Sequence, residues 1–576
     1  MQKEIINLIK QSVKNLQGKE TWSNFQISKI ILERPKSLDH GDWTTNLSFQ
    51  LAKELRKSPI QIAEELAKEL NLNKKNKDLF SNIEAMAGYV NFSFTKKYFA
   101  NLLQNILKNE KSWGSNNSLK NKMFLAEHTD PNLFKELHIG HVMTNTIGES
   151  LFRIAQFSGA DAKQVTFQGD VGMHVAKTLW GIKNILEKIP SDENSVWEKQ
   201  AFLGKCYAFG EKNFSSDDKI KKEITKINKL VYNKKDEAQN EIYDLGKKWS
   251  LEYFDEIYKL LGSEFDHYFL ESSTFEKGEE LVRKNIGKVF EESQGAIIFP
   301  GSKYGLHDRV FINSEGLPTY EAKDIGLFVK KWEKYNPDIS LTVTSDEQKQ
   351  YFEVVKKAAG FINKEWEEKT VHLAHGTLKL ATGKMSSRTG QIIRAKDWVE
   401  KTAQVVFDKM GEEITDEKEK LEVAKKVAIG AIKYSILKVT AGKDIVYDEE
   451  KSINFEGNSG PYLQYTFVRC SSILKKSKVK NFDFKLNSKN DNVSKIEKVI
   501  AKFPESVEQS LKEYSPHYLA TYLIELAREF NSFYAKTRIL DEENEDYKYN
   551  LVLTKTVAII LKNGLHLLGI ETVERM

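Results

Sequence analysis

Lys122-Met123-Phe124-Leu125-Ala126-Glu127-His128 is a short apolar run; the chain breaks after it at Pro131 and re-enters a periodic pattern near His141 that continues to Leu151. An apolar run of strand length reads as a buried strand, and the periodic stretch beyond the proline as a helix. The loop between them carries Glu127, Asn132 and the tetrad His138-Ile139-Gly140-His141. Strand, loop and helix in this order form the crossing at which open α/β sheets hold nucleotides, because unpaired amides at a helix N-terminus face anionic phosphates. Two imidazoles flank a glycine whose missing Cβ admits a close ligand. His138, Gly140 and His141 are thereby candidates for contacting nucleotide phosphates.

Far downstream lies a glycine-flanked cationic loop, Gly383-Lys384-Met385-Ser386-Ser387-Arg388-Thr389-Gly390. No Gly-Lys-Ser or Gly-Lys-Thr occurs in the chain, so a P-loop has no support and phosphates must be held another way. The tetrad and this loop together resemble the two signatures of class I aminoacyl-tRNA synthetases, whose loops embrace ATP from opposite sides of a Rossmann-type sheet. Glu127-His128-Thr129-Asp130-Pro131-Asn132, Tyr320-Glu321-Ala322-Lys323-Asp324 and Gly457-Asn458-Ser459-Gly460-Pro461-Tyr462-Leu463-Gln464-Tyr465 narrow this to a resemblance to the arginyl-tRNA synthetases. It runs over nearly the whole chain, to Glu574-Arg575-Met576.

Composition bounds the answer independently. At 576 residues the chain is too long for one ordinary core. A charged fraction of 29% with a net charge of +5 places any RNA contact on local basic faces and not in a global field. Cys206 and Cys470 form no Cys-x-x-Cys pair, which argues against a disulfide framework or a cysteine-built zinc site, and no structural metal is expected. Met1-Gln2-Lys3-Glu4 begins no signal pattern and no uncharged apolar stretch approaches membrane length. A cytoplasmic protein without membrane attachment is the expectation.

The chain reads as a multidomain α/β plus all-α protein. It comprises a small α+β N-terminal domain over 1–112, a Rossmann-type parallel-sheet catalytic domain with a helical insertion over 113–398, and a helical stem and C-terminal helical bundle over 399–576. In the first part Ile5, Ile9, Val13 and Leu16 recur at helical spacing, Ser58-Pro59 opens a helix, and Gly88 to Phe94 is strand-like. Lys111 to Ser118 is polar and glycine-punctuated, as a linker is. A second strand at Ala162 to Phe167 ends in Gln168-Gly169-Asp170-Val171-Gly172. From about 185 to 290 the sequence is charged and helical and reads as a solvated insertion, not a site. The sheet is expected to resume at 295–299, 309–312 and 339–344. Val427 to Val439, and the aromatic series Tyr514, Tyr518, Tyr522, Phe530, Phe533 and Tyr534, mark bundle helices with packed faces.

The resemblance implies ATP-dependent ligation of L-arginine to its tRNA through arginyl-adenylate. The partners are then tRNA(Arg), L-arginine and ATP, the last a substrate accompanied by Mg2+, acting on a monomer. Such chemistry needs positioning and stabilisation of charge developing on phosphates, which imidazoles, a lysine and backbone amides supply. His138, His141, Lys384 and Arg388 are the catalytic candidates, and Gly140, Gly383, Met385 and Ser386 join the ATP contacts. A guanidinium is a planar fork of donors that carboxylates accept in pairs. Glu127 and Asp324 suit that role, with Asn132, Tyr320 and Gln348 completing the arginine pocket by the same resemblance.

Three departures from the family pattern stand out: Val171 where tryptophan is usual, Tyr351 where histidine often follows Gln348, and Ser387 where the loop usually has its second lysine. Arg388 could return that lost charge from one position further on. The N-terminal part and the bundle from Glu456 are the implied RNA-contacting regions, the latter with Lys475, Lys476, Lys478 and Lys480 on or after its first helix. A nucleotidyltransferase acting on a small metabolite would share the tetrad but needs no large helical C-terminus. A synthetase-like RNA-binding protein without activity would be expected to have lost the histidines or the loop lysine, and His138, His141 and Lys384 are present.

Overall fold

The computed structural model describes residues 1–27, 29–73, 76–381, 393–411, 413–484, 486 and 491–576. Contacts divide the chain into two compact units. One joins Met1–Trp113 with Arg469–Pro504 and Glu525–Leu561; the other joins Gly114–Val468 with Glu505–Ile524 and Lys562–Met576.

The second unit is built on a five-stranded sheet of β1 (Met123–Glu127), β2 (Asp161–Gln168), β3 (His267–Leu270), β4 (Ile339–Ser345) and β5 (Thr370–His375), in the order β5-β4-β1-β2-β3. Every neighbouring pair is parallel. Parallel strands are covered by helices on both faces and must be apolar throughout, which is why Phe124, Leu125 and Ala126 of β1 and Leu341 and Val343 of β4 are fully buried. Chain order reverses between β1 and β4, and a crevice opens at the carboxyl ends of strands on either side of such a reversal.

The helices that shape this crevice are α1 (Ile139–Phe157), which follows β1, α4 (Tyr320–Lys334), which precedes β4, and α5 (Lys349–Ile362), which follows it. Between β2 and β3 lie the insertion helices, among them α2 (Asp218–Asn233) and α3 (Glu237–Leu261), separated where Lys234 takes a left-handed φ of 52°. The stem helix α6 (Glu417–Leu437) carries Lys433, a fully buried cation that donates to the carbonyls of Leu261 at 2.6 Å and Gly569 at 2.7 Å. Arg153 of α1 donates to His566 O and Gly262 O at 2.9 Å each, and Ser150 donates to Leu567 O at 2.9 Å. Carbonyls at the ends of two helices thus accept from side chains of α1 and α6.

Two expectations need correction. Residues 295–299 and 309–312 do not continue the parallel sheet. Glu291–Ser293, Ala296–Phe299 and Arg309–Ile312 form a separate antiparallel sheet. Gln294 and Gly295, with φ of 49° and 79°, make a tight hairpin turn, and so short a connection cannot carry the crossover that parallel pairing needs. The stretch from 185 to 290 is not all solvated insertion either, because it contains the edge strand β3. That strand is only four residues long, and its His-Tyr-Phe-Leu lacks the apolar run by which β1 is legible.

In the first unit, helix Gln2–Gly18 buries Ile5, Ile9, Val13 and Leu16 as their spacing predicts. Helix Pro59–Leu72 starts in a capping box of Ser58 and Gln61. They pack with an antiparallel sheet in the order Leu32–Glu33, Trp43–Thr45, Tyr89–Phe94, Phe80–Met86. Glu497, fully buried, pairs with Lys96 at 2.8 Å and accepts from the Tyr549 hydroxyl, joining segments from opposite ends of the chain. Along helix His517–Lys536, Tyr522 and Phe530 are buried while Tyr518 and Tyr534 stay exposed. Among the described residues, no helix is long and apolar enough to cross a membrane.

Candidate active site

The tetrad is the N-terminus of α1, and its spacing has a local cause. His138 is the N-cap: its Nδ1 accepts from the Gly140 amide at 3.1 Å, while its own amide donates to His141 Nδ1 at 3.1 Å. A Cβ on Gly140 would lie 2.9 Å from His138 Cε1, so only glycine lets the first ring fold back as a cap. The rings stand 3.9 Å apart between centroids. Burial lowers the pKa of both, further aided by the nearby charge of Lys135, and for His141 by His138 as well. Each neutral imidazole accepts at Nδ1 and must therefore carry its proton at Nε2, so the helix start presents two N–H donors. Lys135 itself was not singled out from the sequence; its ammonium lies 4.3 Å from the Tyr207 ring.

Gly383, Lys384, Met385, Ser386 and Arg388 lie outside the described residues, but the chain on either side of them is placed. The Ala381 amide donates to Tyr447 O at 2.9 Å. Ile393 O accepts from the Ile139 amide at 3.2 Å, and the Ala395 amide donates to Leu137 O at 2.8 Å, so the downstream flank is pinned to the tetrad itself. Arg394 reinforces this by pairing with Glu136 at 3.1 Å.

At the carboxyl ends of β1 and β4 is a cavity of about 390 Å³. Glu127, Asn132, Tyr320, Asp324 and Gln348 all line it, although β1, the following loop, α4 and the turn after β4 contribute them separately. Asn132 is seated by close backbone approach: the Leu133 amide donates to Gly169 O at 2.9 Å, and a Cβ on Gly169 would come within 2.2 Å of Asn132 Oδ1. The adjoining Asp170 is fully buried and accepts from Tyr243, Lys247 and Ser272. Val171, the departure beside it, is 1% exposed and packs as an apolar residue should.

Several lining residues were not assigned to the pocket from the sequence. Asp130, Glu271 and Tyr351 face the same cavity. Glu271 follows β3, inside the stretch read as remote from any site. Tyr351, on α5, donates its hydroxyl to Asp324. Lys323 pairs with Glu271 at 2.6 Å and lies 4.8 Å from the Tyr320 ring centroid, and Lys331 pairs with Glu127. The spacing offered a signal for Lys331, since it falls two helical turns beyond Asp324 on one face of α4; for Glu271 there was none.

This concentration of carboxyl groups has electrostatic consequences. Burial pushes Asp324 up to about 8, with the Tyr351 hydrogen bond and Lys331 opposing the rise and Glu127 adding to it. Burial, and then the charge of Glu127, hold Asp130 well above the usual carboxylate range. A cavity that keeps carboxyl groups short of their counter-charge is suited to a cationic ligand.

The sheet order and the paired imidazoles at its central crossing are accompanied by a family match: residues 102–448 match the family described as tRNA synthetases class I (R), catalytic domain. By fold and site the chain is a class I aminoacyl-tRNA synthetase. Residues 3–94 match the arginyl tRNA synthetase N terminal domain, and residues 463–576 the DALR anticodon binding domain. The chain belongs to the arginyl-tRNA synthetase family. It is 32% identical over 579 residues to an arginine–tRNA ligase of Treponema denticola, covering 97% of this chain and 96% of that one. It is 29% identical to the arginine–tRNA ligase of Borrelia hermsii, covering 100% and 99%. Its fold matches Thermus thermophilus arginyl-tRNA synthetase with a TM-score of 0.78 at 23% identity, over 100% of each chain.

Proposed function

We propose that this protein activates L-arginine with ATP and transfers it to tRNA(Arg), releasing AMP and pyrophosphate. The observation that carries the reading is the cavity at the sheet reversal, in which Glu127, Asn132, Tyr320, Asp324 and Gln348 converge. Asp324 and the Glu127 oxygen not paired with Lys331 accept the planar guanidinium, Asn132 and Gln348 orient the polar backbone of arginine, and Tyr320 covers it. ATP enters as its Mg2+ complex. His138 and His141 donate from Nε2 toward its phosphates, with Gly140 admitting them closely. Gly383, Lys384, Met385 and Ser386 close on ATP from the other side, Lys384 and Arg388 supplying positive charge to the departing pyrophosphate.

The arginine carboxylate then attacks the α-phosphorus, the bond to the bridging pyrophosphate oxygen breaks, and the adenylate passes its acyl group to a terminal tRNA hydroxyl. Residues 1–112 and the bundle from Glu456 hold the tRNA, flanking a catalytic domain over 113–398, with stem and bundle over 399–576. The enzyme acts as a monomer in the cytoplasm, where arginine, ATP and tRNA occur together. Incubation with radiolabelled arginine, ATP and bulk tRNA should give acid-precipitable label that is lost on mild alkaline hydrolysis. Absence of label with every tRNA preparation would refute the reading.

A further inference from the structure

Five carboxylates line the cavity: Glu127 and Glu271 each have a lysine partner, while among the described residues Asp130, Asp324 and Glu347 pair with none. The Glu127–Lys331 pair is almost wholly removed from water, at 2% and 4% exposure. Desolvating such a pair often costs more than its attraction returns, and an apolar pair of the same volume commonly serves stability as well or better. An ion pair retained at the wall of a ligand cavity therefore has a use beyond packing. Its geometry shows one: Lys331 takes Glu127 Oε2, and the same carboxylate still borders the cavity.

We propose that Lys331 is a positioning residue that determines specificity in the arginine pocket, clamping Glu127 by one oxygen so that the other meets the guanidinium, and holding a positive charge close to Asp324. The inference rests on the arginine reading above. Asp324 is faced by Glu127 from β1, Asp130 from the following loop, Glu271 from the end of β3, Tyr351 from α5 and Lys331 from its own helix. Lys331 is the cation that favours ionisation of both Asp324 and Asp130, against Glu127, which disfavours it. Arg309 pairs with Glu321 at 3.1 Å and lies 5.2 Å from the Tyr351 ring centroid, and Lys323 is held by Glu271.

The test is arginine binding to the full-length protein by titration calorimetry between pH 6 and pH 9. Lys331→Met should weaken binding at neutral pH by at least about tenfold and move the inflection of affinity against pH upward by about one unit, as expected for removal of one nearby cation. Glu127→Gln removes the anion instead and should move the inflection downward. The double variant Glu127→Gln/Lys331→Met buries no unpaired charge, and its inflection should return close to that of the unaltered protein. Lys331→Arg keeps the charge and should keep the inflection.

A merely structural lysine would weaken binding without moving the inflection, and that result for Lys331→Met would overturn the proposal. Should Lys331→Met fail to fold, the comparison of Glu127→Gln with the double variant decides alone: equal inflections in the two contradict the proposal. Failure of the unaltered protein to bind arginine would count against the arginine reading and not against the lysine's role.

Discussion

The hydroxyl of Tyr351 on α5 donates a hydrogen bond to the carboxylate of Asp324 on α4, so a residue that departs from the family pattern sits on a principal candidate for guanidinium recognition. A donor to a carboxylate favours its ionised form. Tyr351→Phe removes that donor while keeping the ring, and a hydrogen bond to a charged group contributes roughly 1.5 to 3 kcal/mol. Arginine affinity at neutral pH should therefore fall by about tenfold or more, with ATP affinity unchanged, in equilibrium binding of each ligand separately. An unaltered arginine affinity would show that Asp324 does not need the phenol.

Asp324 also predicts how arginine binding depends on pH. In the ligand-free protein it keeps its proton up to about pH 8. A bound guanidinium favours the carboxylate, so binding expels that proton and affinity should rise with pH, by up to about tenfold per unit, levelling off above about 8. The same group lowers the stability of the ligand-free fold as pH climbs, because the unfolded chain releases the proton near ~3.9 while the folded chain holds it. Calorimetric titration in buffers of different ionisation enthalpy counts the released proton. Affinity that is flat from pH 6 to pH 9 would mean that Asp324 is already ionised in the empty pocket.

Gly140 was legible as a position of close approach, but the structure gives a sharper reason for it. Because a Cβ would lie 2.9 Å from the His138 ring, Gly140→Ala should dislodge the cap and reorient the first imidazole. The cost of losing such a cap is about 1 kcal/mol in stability. The rate of adenylate formation should fall far more than that, by roughly 100-fold or more, because a misplaced donor loses most of its stabilisation of developing charge. Thermal unfolding and single-turnover kinetics on the same preparation separate the two effects; equal small losses in both would leave the tetrad with a structural role only.

The sequence discloses the parallel core readily where strands are buried on both sides. Phe124-Leu125-Ala126 is a continuous apolar stretch because both faces are covered, and in β4 Leu341 and Val343 alternate with Ser340, Thr342 and Thr344, which are buried as well. It hid β3, whose short edge strand has only part of that pressure, and with it Glu271. It also misassigned 295–299 and 309–312, since an apolar run fixes a strand but not its partner. The pocket residues that carry the motif wording were legible through resemblance. Their counter-charges were less so: Lys331 shares a face of α4 with Asp324, but both it and Lys323 look like ordinary helix-surface lysines until Glu127 and Glu271 are brought against them.

Ser387 in the signature loop leaves a question of charge that substitution can answer. If Arg388 supplies the cation that serine lacks, then Lys384→Ala and Arg388→Ala should each slow arginyl-adenylate formation at least about tenfold, near 1.4 kcal/mol of lost transition-state stabilisation, with arginine affinity preserved. Single-turnover assays with tRNA bound report the chemical step directly. A parent-like rate for Arg388→Ala would leave Lys384 as the loop's working cation, with the charge of Lys135 close to the tetrad histidines.

The central claim is that the cavity formed by Glu127, Asn132, Tyr320, Asp324 and Gln348 selects arginine for activation by ATP. Exchange of labelled pyrophosphate into ATP, run with each amino acid in turn and with or without tRNA(Arg), tests it most directly. Exchange is expected with arginine alone among the amino acids, and only when the tRNA is present. Comparable exchange with lysine, whose ammonium offers no planar fork, would contradict the assignment of this cavity to the guanidinium.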